Sequence, residues 1–400
     1  MPSSVAPLPP WGPACSRASR RWITAIFLCT ACVGGDDSTV KDGGADSSTP
    51  ADSSVDASDA SSSSDVAADV ACTADTQNDQ KNCGKCGHDC FGGACNAGVC
   101  QLATLVTGQI YVTSLAVTST KIYWSRANYQ TQHSGIFSSD LDGQNLAMLY
   151  DGNTSYCMGL QVTSNATYFN CGGEFYKCAL PSCSQTPTPL LAMSSVAATA
   201  LDATNQALYF SVYTPYNQQT GGFVGSMPLN GGSYTRLVAA DQPSPNSLVI
   251  ANGTVYWLDS GTYTNDNITG NGGVRSAPLG TNQTFNDLVN DKTAIDYTGL
   301  ALSGSTLYYG IGSGNAIHTV ATIGGSFSTY TSSTTGSITV LIADATNIYW
   351  ADSSKIQKCG LGSCSQPQTF ATAQTPSVMA QDTASLFWAN GGGEIRRLAK

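Results

Sequence analysis

The chain has 400 residues, 41% of them hydrophobic and 11% charged, with three histidines and a formal net charge of −10. That acidic balance disfavours nucleic acid and anionic lipid as partners. With so few histidines and no recurrent Ser or Asp context around them, a hydrolytic triad is not indicated.

The N-terminal quarter is mostly not globular. Residues 1–31 carry Arg17, Arg20 and Arg21 ahead of an apolar run from Trp22 to Ala31, and Cys32 follows. A charged stretch, a short apolar stretch and small residues before a cleavage point make a signal peptide. The run is too short to cross a bilayer. Thr30-Ala31-Cys32 resembles the lipobox of bacterial lipoproteins, in which the cysteine sulfur is acylated and becomes the mature N-terminus; Cys29 stands where that motif usually has Leu. The resemblance implies lipidation at Cys32, export, and a membrane partner reached through the lipid at the outer membrane or cell surface. A plain secretory signal is the alternative.

Residues 32–71 are expected to be a disordered linker. From 36 to 71 there are nine Asp against the single Lys41 and no aromatic side chain. Low hydrophobicity and like charge leave such a segment without a core and extended. Residues 101–400 hold 15 acidic and 11 basic side chains, so the folded part is nearly neutral.

Residues 72–100 form a cysteine-rich module with Cys72, Cys83, Cys86, Cys90, Cys95 and Cys100. In an exported chain, clustered even cysteines mean disulfides, although six allow 15 connectivities. A zinc site of Cys83, Cys86, His88 and Cys90 is the competing reading. An oxidising compartment argues against it and makes His88 a surface residue. The stretch from Asn82 to Cys100 resembles the Asn-Cys-Gly-x-Cys-Gly modules that precede propellers in certain bacterial surface lipoproteins.

From 101 to 400 an aromatic pair recurs: Tyr123-Trp124, Tyr168-Phe169, Tyr209-Phe210, Tyr256-Trp257, Tyr308-Tyr309, Tyr349-Trp350 and Phe387-Trp388. The steps of 45, 41, 47, 52, 41 and 38 residues fit one four-stranded propeller blade per repeat. Strand alternation without helical period makes the domain all-β. Seven blades are expected, with adjacent aromatics facing different neighbours because successive side chains in a strand point to opposite faces. The seventh repeat shows three strands, and Gln101–Val106 is expected to supply its fourth, burying Leu102, Leu105 or both.

The Ile-Tyr-Trp strands and Leu-Asp-Gly turns resemble the Tyr-Trp-Thr-Asp propellers of low-density-lipoprotein receptors, and more closely their bacterial relatives. That family has six blades, so six is the alternative count. Turns are expected at Leu141-Asp142-Gly143, Leu229-Asn230-Gly231 and Ile323-Gly324-Gly325. Cys178–Cys183 and Cys359–Cys364 take the equivalent place in two repeats and are expected to be disulfides across a turn. Cys157 and Cys171 flank the innermost hairpin of the second repeat and are expected to pair.

Loops between second and third strands are long in the first, third and fourth repeats. They are expected to gather Arg126, Tyr129, Tyr213, Tyr216, Asn217, Tyr263, Asn265 and Asp266 on one face, a mixture suited to a glycan, peptide or protein ligand. The leading expectation is therefore a non-enzymatic binding or scaffolding module without cofactor or metal. The alternatives are a hydrolase or lyase with a metal at the channel mouth, whose candidate carboxylates Asp202, Asp344 and Asp382 fall at the ends of first strands, a turn away from the usual ligand face, and a purely structural envelope protein.

Overall fold

The computed structural model describes residues 73–400 apart from 128–132, 154, 182, 184–185, 214–220, 243, 265–266, 270–271, 291–296, 312–314, 333–335, 353 and 373–374. The signal peptide, Cys32, the linker and Cys72 lie outside the described residues.

Seven antiparallel four-stranded sheets form the blades of a propeller. Blade 1 runs outward through Val112–Val117, Lys121–Arg126, Ser134–Asp140 and Ala147–Asn153. The inner strands of blades 2 to 7 are Cys157–Val162, Val196–Asp202, Pro245–Ala251, Tyr297–Ser303, Val340–Ala343 and Pro376–Gln381. Each inner strand neighbours the next, and the last returns to the first, so the ring is closed. All described strands are β and no helix occurs among the described residues.

The aromatic pairs explain the closure. Tyr123 packs with Phe169 of blade 2, whereas Trp124 packs with Phe387 of blade 7. The same split repeats around the ring: the first aromatic enters the wedge toward the following blade and the second enters the wedge toward the preceding one. Each pair thus serves two wedges at once. Trp124, Trp257, Trp350 and Trp388 are fully buried, and side chains of that size dominate core energetics.

Blade 7 is completed from the start of the domain. Ala103–Val106 pairs with Ile395–Ala399, placing Ala103 opposite Arg397. The buried positions of that strand are Ala103 and Val106, not the leucines. A bulge between Thr104 and Val106 sets this register; Leu102 and Leu105 are partly buried and lap over the wedges beside blades 6 and 1.

In the cysteine module, Cys95–Asn96 pairs with Val99–Cys100, and disulfides join Cys83 to Cys95 and Cys90 to Cys100. Cys86 is also disulfide-bonded. The sulfurs of Cys83 and Cys90 are therefore bonded to other sulfurs and not free as zinc ligands. His88 is half-buried instead of lying on the surface, because its Nδ1 approaches the Cys83 carbonyl at 2.6 Å. In the propeller, Cys157–Cys171, Cys178–Cys183 and Cys359–Cys364 are bonded, the first across register partners of neighbouring strands.

The turn of blade 5 is offset by one residue from the expected Ile323-Gly324-Gly325 alignment. The Gly324 N–H donates to the Ala321 carbonyl as Gly143 does to Asp140 and Gly231 to Pro228. Ile323 therefore takes the place of Asp142 and Asn230, one residue off the expected alignment, and is 94% exposed.

Candidate functional site: the loop face

Strand direction gives the propeller two unlike faces. Connections from second to third strands and from outer strands to the next inner strand share one face, the loop face. The first-to-second and third-to-outer turns share the other, the hairpin face. The cysteine module sits on the hairpin side, where Phe91 covers Arg397 with 4.1 Å between guanidinium carbon and ring centroid.

Residues that close the second strands fasten the loop face. Asp259 is fully buried; its Oδ1 accepts the N–H groups of Ser244 (2.9 Å) and Gly261 (3.0 Å), and its Oδ2 meets Arg275. Burial pushes the Asp259 carboxyl above its usual value, and Arg275 with the two backbone N–H groups works against that push. Arg275 also donates to Gln242 Oε1 (2.8 Å) and Asp287 Oδ1 (2.9 Å). This network ties the approach to blade 4 to its long second-to-third loop. That loop carries its own hairpin, Thr262–Thr264 paired with Asn267–Thr269.

Asp352 and Asn390 hold equivalent places. Asp352 Oδ1 accepts the N–H groups of Ser354 and Lys355, and Asn390 exchanges side-chain and backbone bonds with Glu394. These acidic and amide groups are turn fasteners.

Arg126 was expected to face a ligand. It is instead 8% exposed, donating Nε and Nη2 to the His133 carbonyl (3.0 and 2.7 Å) and Nη1 to Gln109 Oε1 (3.3 Å), with its guanidinium over Phe137. The reason is its place at the end of a buried strand, where a long cation spends its donors on the loop above. Tyr213 is exposed on this face and its N–H donates to the Ser195 carbonyl. The backbone of Tyr263 lies in the blade 4 hairpin. Tyr129, Tyr216, Asn217, Asn265 and Asp266 lie outside the described residues.

Two aromatics missed by the loop reading join this face. Tyr111 and Tyr156, in the connections that lead into the inner strands of blades 1 and 2, are 47% and 40% exposed. An aromatic directly before an inner strand was the signal that would have found them.

At the channel mouth Thr113 and Ser377, at bulges of their inner strands, and Thr339, just before its own, stitch neighbouring blades. Thr113 Oγ1 donates to the Cys157 carbonyl (2.6 Å), Thr339 Oγ1 to Pro376 (3.2 Å) and Ser377 Oγ to Val112 (3.4 Å). Those hydroxyls are committed to backbone. Asp202, Asp344 and Asp382 lie on the hairpin face, each accepting backbone N–H groups of its own turn.

The sequence matches no protein family and no curated protein. The fold is similar to that of a streptogramin B lyase (14% identity, TM-score 0.56, covering 74% of this chain and 97% of that one). It is also similar to selenomethionine-substituted virginiamycin B lyase from Staphylococcus aureus (12%, TM-score 0.57, 75% and 98%) and to the computationally designed Ika8 protein (14%, TM-score 0.52, 74% and 98%). Similarity at this identity concerns the propeller alone.

Proposed function

We propose that this protein is an exported, lipid-anchored envelope protein whose propeller is a non-enzymatic binding or scaffolding module. A glycan, peptide or protein is held on the loop face. The observation that carries this reading is the opposition of attachment and display: the cysteine module docks against Arg397 on the hairpin side, while the long loops, their fastening network and the exposed Tyr111, Tyr156 and Tyr213 lie on the other. A chain tethered through its N-terminus then presents the loop face away from the anchor. The burial of Arg126 and Asp259 fits a rigid platform better than a reacting centre, since their charges are spent inside the fold.

Fractionation and mass spectrometry test the anchor: acyl chains on Cys32 in the membrane fraction are expected, and unmodified protein in the culture supernatant would refute it. Binding is tested on glycan and peptide arrays, with Tyr111→Ala and Tyr156→Ala expected to abolish capture while circular dichroism still shows the folded β domain. Stoichiometric metal bound at the channel mouth would move the reading to a hydrolase or lyase.

A further inference from the structure

Strand register places one third-strand residue opposite the first aromatic of each pair. In blades 1, 3, 4 and 5 it is Ser138, Ser226, Ser276 and Thr319. In blades 2, 6 and 7 it is a base: Lys177, Lys358 and Arg397. Arg397 and Lys177 each reach across to the next blade on the hairpin face, whereas Lys358 lies over the Phe370 ring of its own blade.

The notch between blades 7 and 1 is filled. Arg397 lies over Phe387 (4.9 Å), donates to Ser385 Oγ (2.9 Å) and crosses to the Leu141 carbonyl of blade 1 (3.3 Å), and Phe91 caps it. The ring is presented by a tight turn in which Asp89 Oδ1 accepts the Phe91 N–H at 2.7 Å. Burial works against the Asp89 charge, while Lys81, the Phe91 N–H and Arg397 together hold the carboxyl below its usual value. The notch between blades 6 and 7 is filled too, by Lys400, whose Nζ meets Asp344 (3.1 Å) and Gln381 Oε1 (2.8 Å) over the Tyr349 ring.

The notch between blades 2 and 3 repeats this arrangement. Lys177 lies 5.7 Å from the Tyr168 ring centroid and crosses to Asn230 Oδ1 of blade 3 at 3.4 Å, one residue beyond Leu229, the counterpart of Leu141. Its described contacts are a ring and an amide, with no carboxylate. Here the space is an open cleft of about 470 Å³ bordered by Asn165, Lys177, Leu201, Gln206 and Leu229, within the size range of ligand sites.

We propose that this cleft is a second binding site, distinct from the loop face, for a turn of a partner protein bearing an acidic residue two positions before an aromatic one. That turn lays its ring on Lys177 as Phe91 lies on Arg397. The aromatic ring enters beside Leu201 and Leu229 against the ammonium stem, and the acidic residue shapes the turn by accepting the aromatic residue's N–H, as Asp89 does for Phe91 while its other oxygen meets Lys81.

The test titrates an end-capped Asp-Ser-Phe-Gly-Gly peptide, the sequence of Asp89 to Gly93 with Ser for Cys90, into the full chain. Methyl resonances of Leu201 and Leu229 report binding. The expected result is saturable shifts at those two leucines, lost when the peptide's Phe is replaced by Ala. Lys177→Gln should weaken binding roughly tenfold, about the size of one desolvated cation–π contact. Lys177→Arg should preserve it, and both variants should melt like the parent. Absence of shifts, equal binding of the Phe-less peptide, or indifference to both substitutions would overturn the site. Sedimentation showing a dimer that Lys177→Gln dissolves would also overturn it, by making a second copy of this chain the occupant.

Discussion

Asp259 and Arg275 meet diagonally across the second and third strands of blade 4, with the carboxylate wholly out of contact with solvent. A buried charge is tolerated only when its partners are in place, and here the partners belong to three segments that approach the loop face from different directions. Asp259→Ala leaves Arg275 buried and without its nearest carboxylate. The expected loss is about 3–5 kcal/mol in urea unfolding, and replacing both residues by leucine should recover a good part of it.

Reducing or replacing single disulfides should give graded effects. Cys157–Cys171 closes a separation of 14 residues and Cys178–Cys183 one of 5. The chain-entropy relation makes the first worth about 3 kcal/mol and the second about 2 kcal/mol. Paired Cys→Ser variants compared by thermal melting check the order, which the complete burial of Cys157 accentuates.

Removal of residues 101–106 should unfold or aggregate the protein, whereas removal of residues 36–71 should leave the melting temperature unchanged. The strand contributes ladder hydrogen bonds and the buried Ala103 and Val106, and a fully buried valine alone is worth roughly 1.5–3 kcal/mol. An unpaired edge on blade 7 adds an aggregation hazard. Equal melting of the two deletions would contradict the closure.

Acid should weaken the seam between blades 6 and 7. Burial works against the Asp344 charge, but the N–H groups of Thr346 and Asn347 and the Lys400 ammonium outweigh it and hold the carboxyl below 3.8. The folded value lies below the unfolded one, so this stabilisation is complete above the unfolded value and is lost as pH falls through the folded one. Lys400→Met should shrink the loss of melting temperature between about pH 6 and pH 3.

The wedge tryptophans should not be equivalent. Trp124 donates its indole N–H to Gln109 Oε1 at 3.0 Å, whereas among the described residues Trp350 and Trp388 find no acceptor. Replacing Trp124 by Phe should cost about 1 kcal/mol more than the same change at Trp350, because it removes a buried hydrogen bond and leaves Gln109 Oε1 with Arg126 as its donor. Chemical unfolding of the two variants measures the difference.

The ring was legible in the sequence because adjacent aromatics on a strand have to face opposite wedges, and seven pairs leave room for seven wedges. Closure by the stretch before the first repeat followed from a missing fourth strand. Which of its residues are buried did not, because the bulge before Val106 is invisible in composition. The three propeller disulfides followed from their places around hairpins, while pairing in the module depended on tertiary contact. Arg126 misled because a cation at a loop boundary reads as exposed, and only the position of the His133 carbonyl shows where its donors go.

The way blade 7 is assembled also orders events in time. Ala103–Val106 is synthesised before every blade and is seated only when Ile395–Ala399 exists to receive it. A ribosome that stalls inside blade 6 leaves that strand unmatched, so the ring stays open until Ile395–Ala399 has been made.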